Sequence, residues 1–156
     1  MMNLTRAIDS FADHLAANER GRLTIEVYRR DLKLLESFAG DVPIAELTPD
    51  LINRFVLSDA VQLTPAGAQK SEVSVGRCKA ALKSFGRFLA DVGALSADPA
   101  RGLRIKRAPR KTPAFLTADE QKRLLKAVGA RKGEAAERDL VILRLFLHTG
   151  VRLAEL

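Results

Sequence analysis

The 156 residues of this chain predict an all-α fold, on three observations. Apolar residues recur every three or four positions in the long segments, which is the period of a helix with one buried face. Residues 1–93 contain no stretch of alternating apolar and polar residues, the pattern of a half-buried strand. Hydrophobic residues make up 47% of the chain, enough to bury a core. We therefore expect a domain of four or more packed helices.

The first two predicted helices are separated by the sequence GRLT. The first helix runs from Leu4 to Ala17. The Thr24 side chain is predicted to accept hydrogen bonds from the unpaired backbone amides at the start of the second helix, which runs to Ala39. Gly40 is predicted to end that helix in a left-handed conformation. The predicted buried positions are Leu4, Ile8, Phe11 and Leu15 in the first helix and Ile25, Tyr28, Leu32 and Leu35 in the second.

The third and fourth predicted helices follow start signals of their own. Thr48 is the predicted N-cap of the third helix, with Pro49 at its first position and its end near Ala60. The fourth and longest helix runs from about Ser71 to Val92, and Gly93 closes it. Its apolar face is predicted to consist of Val75, Cys78, Leu82, Phe85, Leu89 and Val92.

The sequence predicts two domains joined by a linker. The helical domain covers residues 1–95, and the Pro- and Gly-containing, basic residues 96–113 have the composition of a linker. In residues 114–156, Thr117 and Glu120 form the capping-box pattern of a new helix. A second helix, from Glu134 to about Thr149, is apolar on nearly every side, so we expect it to need more covering structure than one neighbouring helix provides.

The positive charge is concentrated between Lys70 and Lys111. The chain has 26 Lys and Arg residues against 19 Asp and Glu residues, a net charge of +7. That one segment contains eleven basic and three acidic residues, so it accounts for the whole excess. Such a run is typical either of a surface that binds a polyanion, most often nucleic acid, or of a solvated face that keeps the protein in solution.

Residue counts argue against several other classes of protein. A single cysteine, Cys78, excludes an internal disulfide, and two scattered histidines offer no cluster for a metal ion. No apolar run is long enough to cross a bilayer, and the N-terminus lacks the apolar region of a secretory signal. We expect a cytoplasmic protein with no metal site and no membrane partner.

The fourth predicted helix carries small and basic residues along one flank, where Gly76 lies one turn before a line of cations. A helix with such a flank can approach a phosphate backbone closely, although the same lysines are also consistent with an ordinary solvated surface. The linker adds six cations in an extended segment that can follow DNA as an arm. The predicted DNA contacts are Arg77, Lys79, Lys83 and Arg87 on the fourth helix, Arg29 and Lys33 on the second, and Arg101, Arg104, Lys106, Arg107, Arg110 and Lys111 in the linker.

The chain finishes on the sequence TGVRLAEL. With the capped LTADEQKRLL helix and the basic linker before it, this motif resembles the tyrosine recombinase or phage integrase family, of Xer and lambda-integrase type. The resemblance covers the whole chain. It implies an all-α, SAM-like core-binding domain of four or more helices, a basic linker, and the first helices of a truncated catalytic domain.

The resemblance also implies roles for two residues. Arg152 corresponds to the first catalytic arginine of the family, whose planar guanidinium can hold two oxygens of the pentacoordinate phosphate in the transition state. Glu155 corresponds to a supporting acidic residue. From the residues alone, Arg152 can also be an arginine at a helix start that pairs with Glu155 three positions later.

What the resemblance implies about function is site-specific breakage and rejoining of DNA through a phosphotyrosine intermediate. It implies no metal or nucleotide cofactor, and it implies double-stranded DNA and other recombinase protomers as partners. The remaining catalytic residues of the family, including the nucleophilic tyrosine, would follow Leu156. Since Tyr28, a predicted core residue, is the one tyrosine present, we expect this chain to be the first part of a recombinase, binding DNA without cleaving it.

Two other functions fit the same residues. The chain can be a non-catalytic DNA-binding module that occupies recombination sites. It can also be a helical protein–protein adaptor whose basicity is incidental, in which case any DNA binding is weak and shows no sequence preference.

Overall fold

The computed structural model of the chain describes residues 2–106 and 114–155. These ranges contain seven α-helices and no strand, and their only extended pairings are two isolated bridges, Asn3 with Pro43 and Leu63 with Gln69. The predicted all-α fold is confirmed. No helix in the described ranges has the length and apolar character that spanning a membrane requires.

The chain divides into two compact units, Met1–Pro109 and Arg110–Leu156. The helices of the first unit are α1 (Leu4–Ala17), α2 (Arg22–Ala39), α3 (Pro49–Leu57), α4 (Asp59–Gln62) and α5 (Glu72–Asp91). Those of the second unit are α6 (Ala118–Gly129) and α7 (Glu134–Thr149).

Helices α1 and α2 form an antiparallel hairpin, since Thr5 lies beside Glu36 and Asp9 beside Arg29. The predicted bounds of α1 are confirmed. The predicted start of α2 at Thr24 is wrong: α2 begins at Arg22, and the Thr24 amide already donates a hydrogen bond of 2.8 Å to the Gly21 carbonyl. A tight turn after α1, rather than a side-chain cap, therefore starts this helix.

The third predicted helix is in fact two helices. Thr48 caps α3 as predicted, and its hydroxyl accepts a hydrogen bond from the Leu51 amide. Ser58 then takes an extended conformation, and its hydroxyl donates to the Phe55 carbonyl at 2.7 Å. This break reorients the chain so that Val61, on α4, is 1% exposed.

The core of the first unit lies between α1, α2, α3 and α5. Its largest fully buried side chains are Phe11, Phe55 and Phe85, and the rings of Phe11 and Phe85 lie 5.4 Å apart between centroids. The predicted buried face of α5 is confirmed from Cys78 to Leu89, whereas Val92, which caps the helix, is exposed. Tyr28 is half-buried against this core, as predicted for a core aromatic.

Burial also defines the chemistry of Cys78. It raises the pKa of the thiol to about 11, so this side chain behaves as a small apolar group at neutral pH.

The residues after α5 pack back onto the first unit. Ala100 is 1% exposed and belongs to the core, and Ala94, Leu95 and Leu103 pack against it half-buried. The predicted linker, residues 96–113, thus begins as packed structure in its described part. The predicted domain limits themselves stay a prediction.

The second unit is built from two helices with good local signals. The predicted capping box is present, with Thr117 and Glu120 satisfying each other's backbone amides. Gly150 ends α7 in the left-handed conformation, with φ 67°. Of the described residues in this unit only Ala136 is buried.

Candidate nucleic-acid interface

The segment from Asp98 to Lys106, called the strap below, runs antiparallel along α5. Its first residue lies against Gly86, and its last is ion-paired with Glu72, near the start of α5. Successive strap residues meet α5 side chains one turn apart, so the register is continuous over most of the helix.

Gly86 permits the close approach at the first end of the strap. A Cβ added at Gly86 would overlap the Asp98 carboxylate and lie 3.3 Å from the Cβ of Ala100. The same carboxylate accepts a hydrogen bond of 2.8 Å from the Ala100 amide. A glycine inside a helix costs about 1 kcal/mol relative to alanine. At position 86 the close approach of the strap is the physical reason for a glycine.

Two lysines of α5 hold the middle of the strap. The Lys83 ammonium donates to the carbonyls of Arg101 and Leu103 at 3.2 and 3.0 Å. The Lys79 ammonium donates to the carbonyl of Arg104 at 3.4 Å. The flank predicted to face DNA therefore lies against the chain's own backbone, and both ammonium groups have hydrogen-bond partners within the first unit.

The far end of the strap lies near the start of α5. A Cβ added at Gly76 would lie 3.5 Å from Cγ2 of Ile105, so this glycine faces the strap and not an open surface. The Lys106 ammonium pairs with the Glu72 carboxylate at 2.8 Å, and this hydrogen bond raises the pKa of Lys106. Lys106 is exposed and its charge is partly offset.

Three arginines of α5 and the strap are exposed to solvent. Arg87 follows Lys83 by one turn of α5, and Arg101 and Arg104 are strap residues whose carbonyls are held while their side chains are exposed. None of the three forms an ion pair within the residues the structure describes. Exposed guanidinium groups with no carboxylate partner are available for phosphate oxygens. The surface formed by Arg87, Arg101 and Arg104 is called the arginine surface below.

Arg77, also predicted to contact DNA, has a carboxylate partner within the first unit. Its Nε and Nη2 donate to the two carboxylate oxygens of Asp31 on α2, at 3.0 and 3.1 Å. Asp31 is 3% exposed, and its hydrogen bonds raise the pKa of the Arg77 guanidinium. This two-point contact joins α2 to α5, and a phosphate would have to displace a buried carboxylate to reach it.

The two predicted contacts on α2 lie among acidic groups. Arg29 pairs with Asp9 of α1 at 2.5 Å, and Lys33 pairs with Glu36 at 2.7 Å. Both cations therefore lie along the α1–α2 hairpin, where their charges are balanced. Arg107, Arg110 and Lys111, the other predicted contacts, lie outside the described residues.

In the second unit, Arg152 and Glu155 are paired, as the sequence allowed. The Arg152 guanidinium lies 3.1 Å from Glu155 Oε1, and its amide donates to Oε2 at 2.9 Å. The Thr149 hydroxyl donates to the Leu145 carbonyl and accepts from the Val151 amide, which shapes the turn before Arg152. The Arg152 side chain is 84% exposed, so its guanidinium is open to an anion.

Sequence reasoning missed three residues that organise the first unit: Asp31, Glu72 and Gly86. A signal existed for Asp31, which stands three residues after Tyr28 and four before Leu35, within the apolar stripe of α2. A carboxylate at such a position needs a buried partner. Gly86 stood out as a glycine within a helical pattern, but the pattern does not reveal what approaches it.

Comparison with known proteins defines the class first. Residues 8–93, which include most of the helical first unit, match the family described as phage integrase, N-terminal SAM-like domain. This matched range ends just after α5. The class is thus that of the helical N-terminal domains of integrases.

The chain belongs to the tyrosine recombinase family of phage integrases. It is similar to tyrosine recombinase XerC of Xanthomonas campestris pv. campestris strain B100, with 32% identity over 96% of this chain and 45% of the relative. It is similar to XerC of Mycobacterium bovis strain BCG / Pasteur 1173P2, with 33% identity over 96% of this chain and 50% of the relative. XerC of Thermodesulfovibrio yellowstonii is 29% identical over 100% of this chain and 50% of the relative.

The chain spans about half the length of these curated relatives. No solved structure matches it significantly.

Proposed function

We propose that this chain is the DNA-binding part of a site-specific recombinase or integrase. The first unit binds double-stranded DNA through the arginine surface on α5 and the strap. The observation that carries the proposal is that these three exposed arginines belong to the packed helix–strap pair and form no ion pair within the described residues.

The chemistry of phosphate binding fits this surface. A guanidinium is always charged, is weakly hydrated and offers a planar fork of donors to two phosphate oxygens. Since phosphate contacts fix the position of a protein on DNA without reading bases, this surface supplies affinity and register. Base readout is left to other contacts.

In the full reaction we assign the second unit a different phosphate. Arg152 would contact the scissile phosphate and stabilise the charge that develops on it, and Glu155 would hold the guanidinium in place. The nucleophile in such a reaction is a tyrosine that becomes covalently linked to DNA. Other protomers of the recombinase on the same DNA are the expected protein partners.

We expect these 156 residues to bind DNA without cleaving it. Tyr28 is the one tyrosine in the sequence, and it is half-buried against the core of the first unit. A nucleophile has to reach the phosphorus atom in line with the leaving group, and the packing of Tyr28 against the core supports a structural role for this side chain.

The binding proposal is tested by fluorescence anisotropy with a duplex of about thirty base pairs over a series of salt concentrations. Three phosphate contacts give a log–log salt slope of about −2.7 or steeper, because each neutralised phosphate contributes about −0.9. The triple variant Arg87→Gln, Arg101→Gln, Arg104→Gln should flatten the slope by about 2.7.

A charge-matched control removes three arginines that already have carboxylate partners. These are Arg22, Arg54 and Arg131, paired with Glu26, Asp50 and Asp139. Their replacement by Gln should leave the slope nearly unchanged. Equal flattening by both triple variants would show that net charge, and not the arginine surface, drives binding.

The cleavage part is tested with a suicide substrate that carries a nick near the cleavage site. After denaturing electrophoresis we expect no covalent protein–DNA band with this chain. A band that disappears in Tyr28→Phe would contradict the assignment of Tyr28 to the core.

A further inference from the structure

We propose that Lys79 and Lys83 are positioning residues. Their ammonium groups fasten the strap to α5 and so hold Arg101 and Arg104 in place on the DNA-binding surface. They do not contact phosphates themselves. This inference rests on the proposed function. It distinguishes the arginines that bind phosphate from the lysines that hold those arginines in position.

The two lysine ammonium groups hold the strap through hydrogen bonds to its backbone. An ammonium has three donors, and Lys83 commits two of them to the carbonyls of Arg101 and Leu103. Lys79 donates to the carbonyl of Arg104. The strap has no regular secondary structure to satisfy these carbonyls, so the lysines supply the partners that a helix or sheet would provide.

The carbonyls that the lysines hold belong to residues of the proposed DNA-binding surface. The carbonyls that accept from the lysines include those of Arg101 and Arg104, whose side chains form part of the arginine surface. Fixing a carbonyl fixes the Cα beside it, which reduces the entropy that each arginine loses when it binds a phosphate. The lysines therefore act through the backbone of the residues that bind.

Gly86 is an independent anchor of the same strap. The Asp98 carboxylate occupies the space where a Cβ would lie, and Ala100 beside it is 1% exposed. The strap is thus fastened by packing at one end and by lysines in its middle. Gly86→Ala would displace the strap without changing any charge.

The first experiment needs no DNA. The amide of Leu103 donates to the Ala100 carbonyl at 3.0 Å, and its hydrogen exchange reports whether the strap is fastened. In Lys79→Gln, Lys83→Gln we expect exchange at Leu103 to become roughly ten-fold faster or more, as in Gly86→Ala, because local opening becomes easier. The control Lys122→Gln, Lys126→Gln removes the same charge from α6 and should change nothing at Leu103. Unchanged exchange in the Lys79 and Lys83 variant would overturn the proposal.

The second experiment measures DNA affinity across a salt series. Lys79→Gln, Lys83→Gln should weaken binding roughly ten-fold at every salt concentration while keeping the salt slope, because the strap must be ordered on binding. Arg101→Gln, Arg104→Gln should instead reduce the slope by about 1.8. Gly86→Ala, which keeps all charges, should reproduce the result of the lysine variant.

The outcomes separate this inference from the proposed function. If the slope falls by about 1.8 in the lysine variant, the lysines contact phosphate directly and the inference is wrong while DNA binding stands. If Gly86→Ala loosens the strap but leaves affinity unchanged, the strap does not place the arginines and the inference is also wrong. If the unmodified chain does not bind DNA, both fail together.

Discussion

The longest helix of each unit shows how differently the two are stabilised. In the first unit, α5 buries Cys78, Leu82, Phe85 and Leu89 against neighbouring helices. In the second unit, α7 is at least as apolar, yet Val141 is 61% and Leu145 is 40% exposed, and Ala136 is its only buried residue. Helix formation requires local signals, which both units have, whereas burial requires partners, which the described part of the second unit lacks.

The largest expected difference comes from matched phenylalanine substitutions. Phe85 is 1% exposed in the first unit, and Phe115 is 81% exposed in the second. Phe85→Ala should lower the free energy of unfolding by about 3–5 kcal/mol, because a cavity is added to the lost burial. Phe115→Ala should change it by less than about 0.5 kcal/mol. Urea unfolding followed by circular dichroism measures both, and similar effects would mean that Phe115 is buried in solution.

A second pair of substitutions compares two carboxylates with arginine partners. Asp31 is buried and paired with Arg77, whereas the Asp139 side chain is 35% exposed and paired with Arg131 and Arg138. Asp31→Ala should cost about 3 kcal/mol, at the low end for breaking a buried pair because Arg77 stays partly hydrated. Asp139→Ala should cost less than about 1 kcal/mol. Chemical denaturation distinguishes the two, and equal costs would contradict the burial assigned to Asp31.

Helix caps should show no difference between the units. The hydroxyls of Thr48 and Thr117 accept hydrogen bonds from backbone amides at 3.2 and 3.3 Å. Each substitution, Thr48→Ala and Thr117→Ala, should cost about 1 kcal/mol, because capping is a local interaction. Hydrogen exchange in the first turns of α3 and α6 provides the measurement. A cap effect confined to α3 would show that α6 is not formed independently.

The smallest expected effect is a dependence on acid. Hydrogen bonds from Lys33 and Thr5 lower the pKa of Glu36, and bonds from Thr5 lower the pKa of Asp41. A carboxyl group whose pKa is lower in the folded state stabilises it above the ordinary pKa of about 4, and this stabilisation is lost as pH falls toward the folded pKa. Unfolding free energies measured between pH 6 and pH 2 should therefore decrease below about pH 4.

Thr5→Val isolates the hydroxyl in this network. It removes the hydroxyl donor to Glu36 and Asp41 but keeps the Thr5 amide bond to Asp41 of 2.9 Å. The acid dependence should become shallower without vanishing. In the second unit, Thr117 lowers the pKa of Glu120 in the same way, so α6 should also fray in acid. A steeper dependence in Thr5→Val would reverse the sign assigned to these bonds.

Much of the local structure followed from the sequence alone. The bounds of α1, the cap at Thr48 and the capping box at Thr117 are all set by neighbouring residues. The family followed from order and motif. Local errors arose where a backbone turn replaced a side-chain signal, at the start of α2 and at Ser58.

The position of the cations was decided only by the tertiary structure. The sequence gives Arg77, Lys79, Lys83 and Arg87 the same character, but the fold assigns Arg77 to a buried carboxylate and the two lysines to strap carbonyls, and it leaves Arg87 exposed. Caps and helix periods depend on residues within about four positions, so a sequence reveals them. The partner of a charged side chain comes from residues 46 positions away for Arg77 and 20 positions away for Lys83, and only the packing of α2, α5 and the strap brings them together.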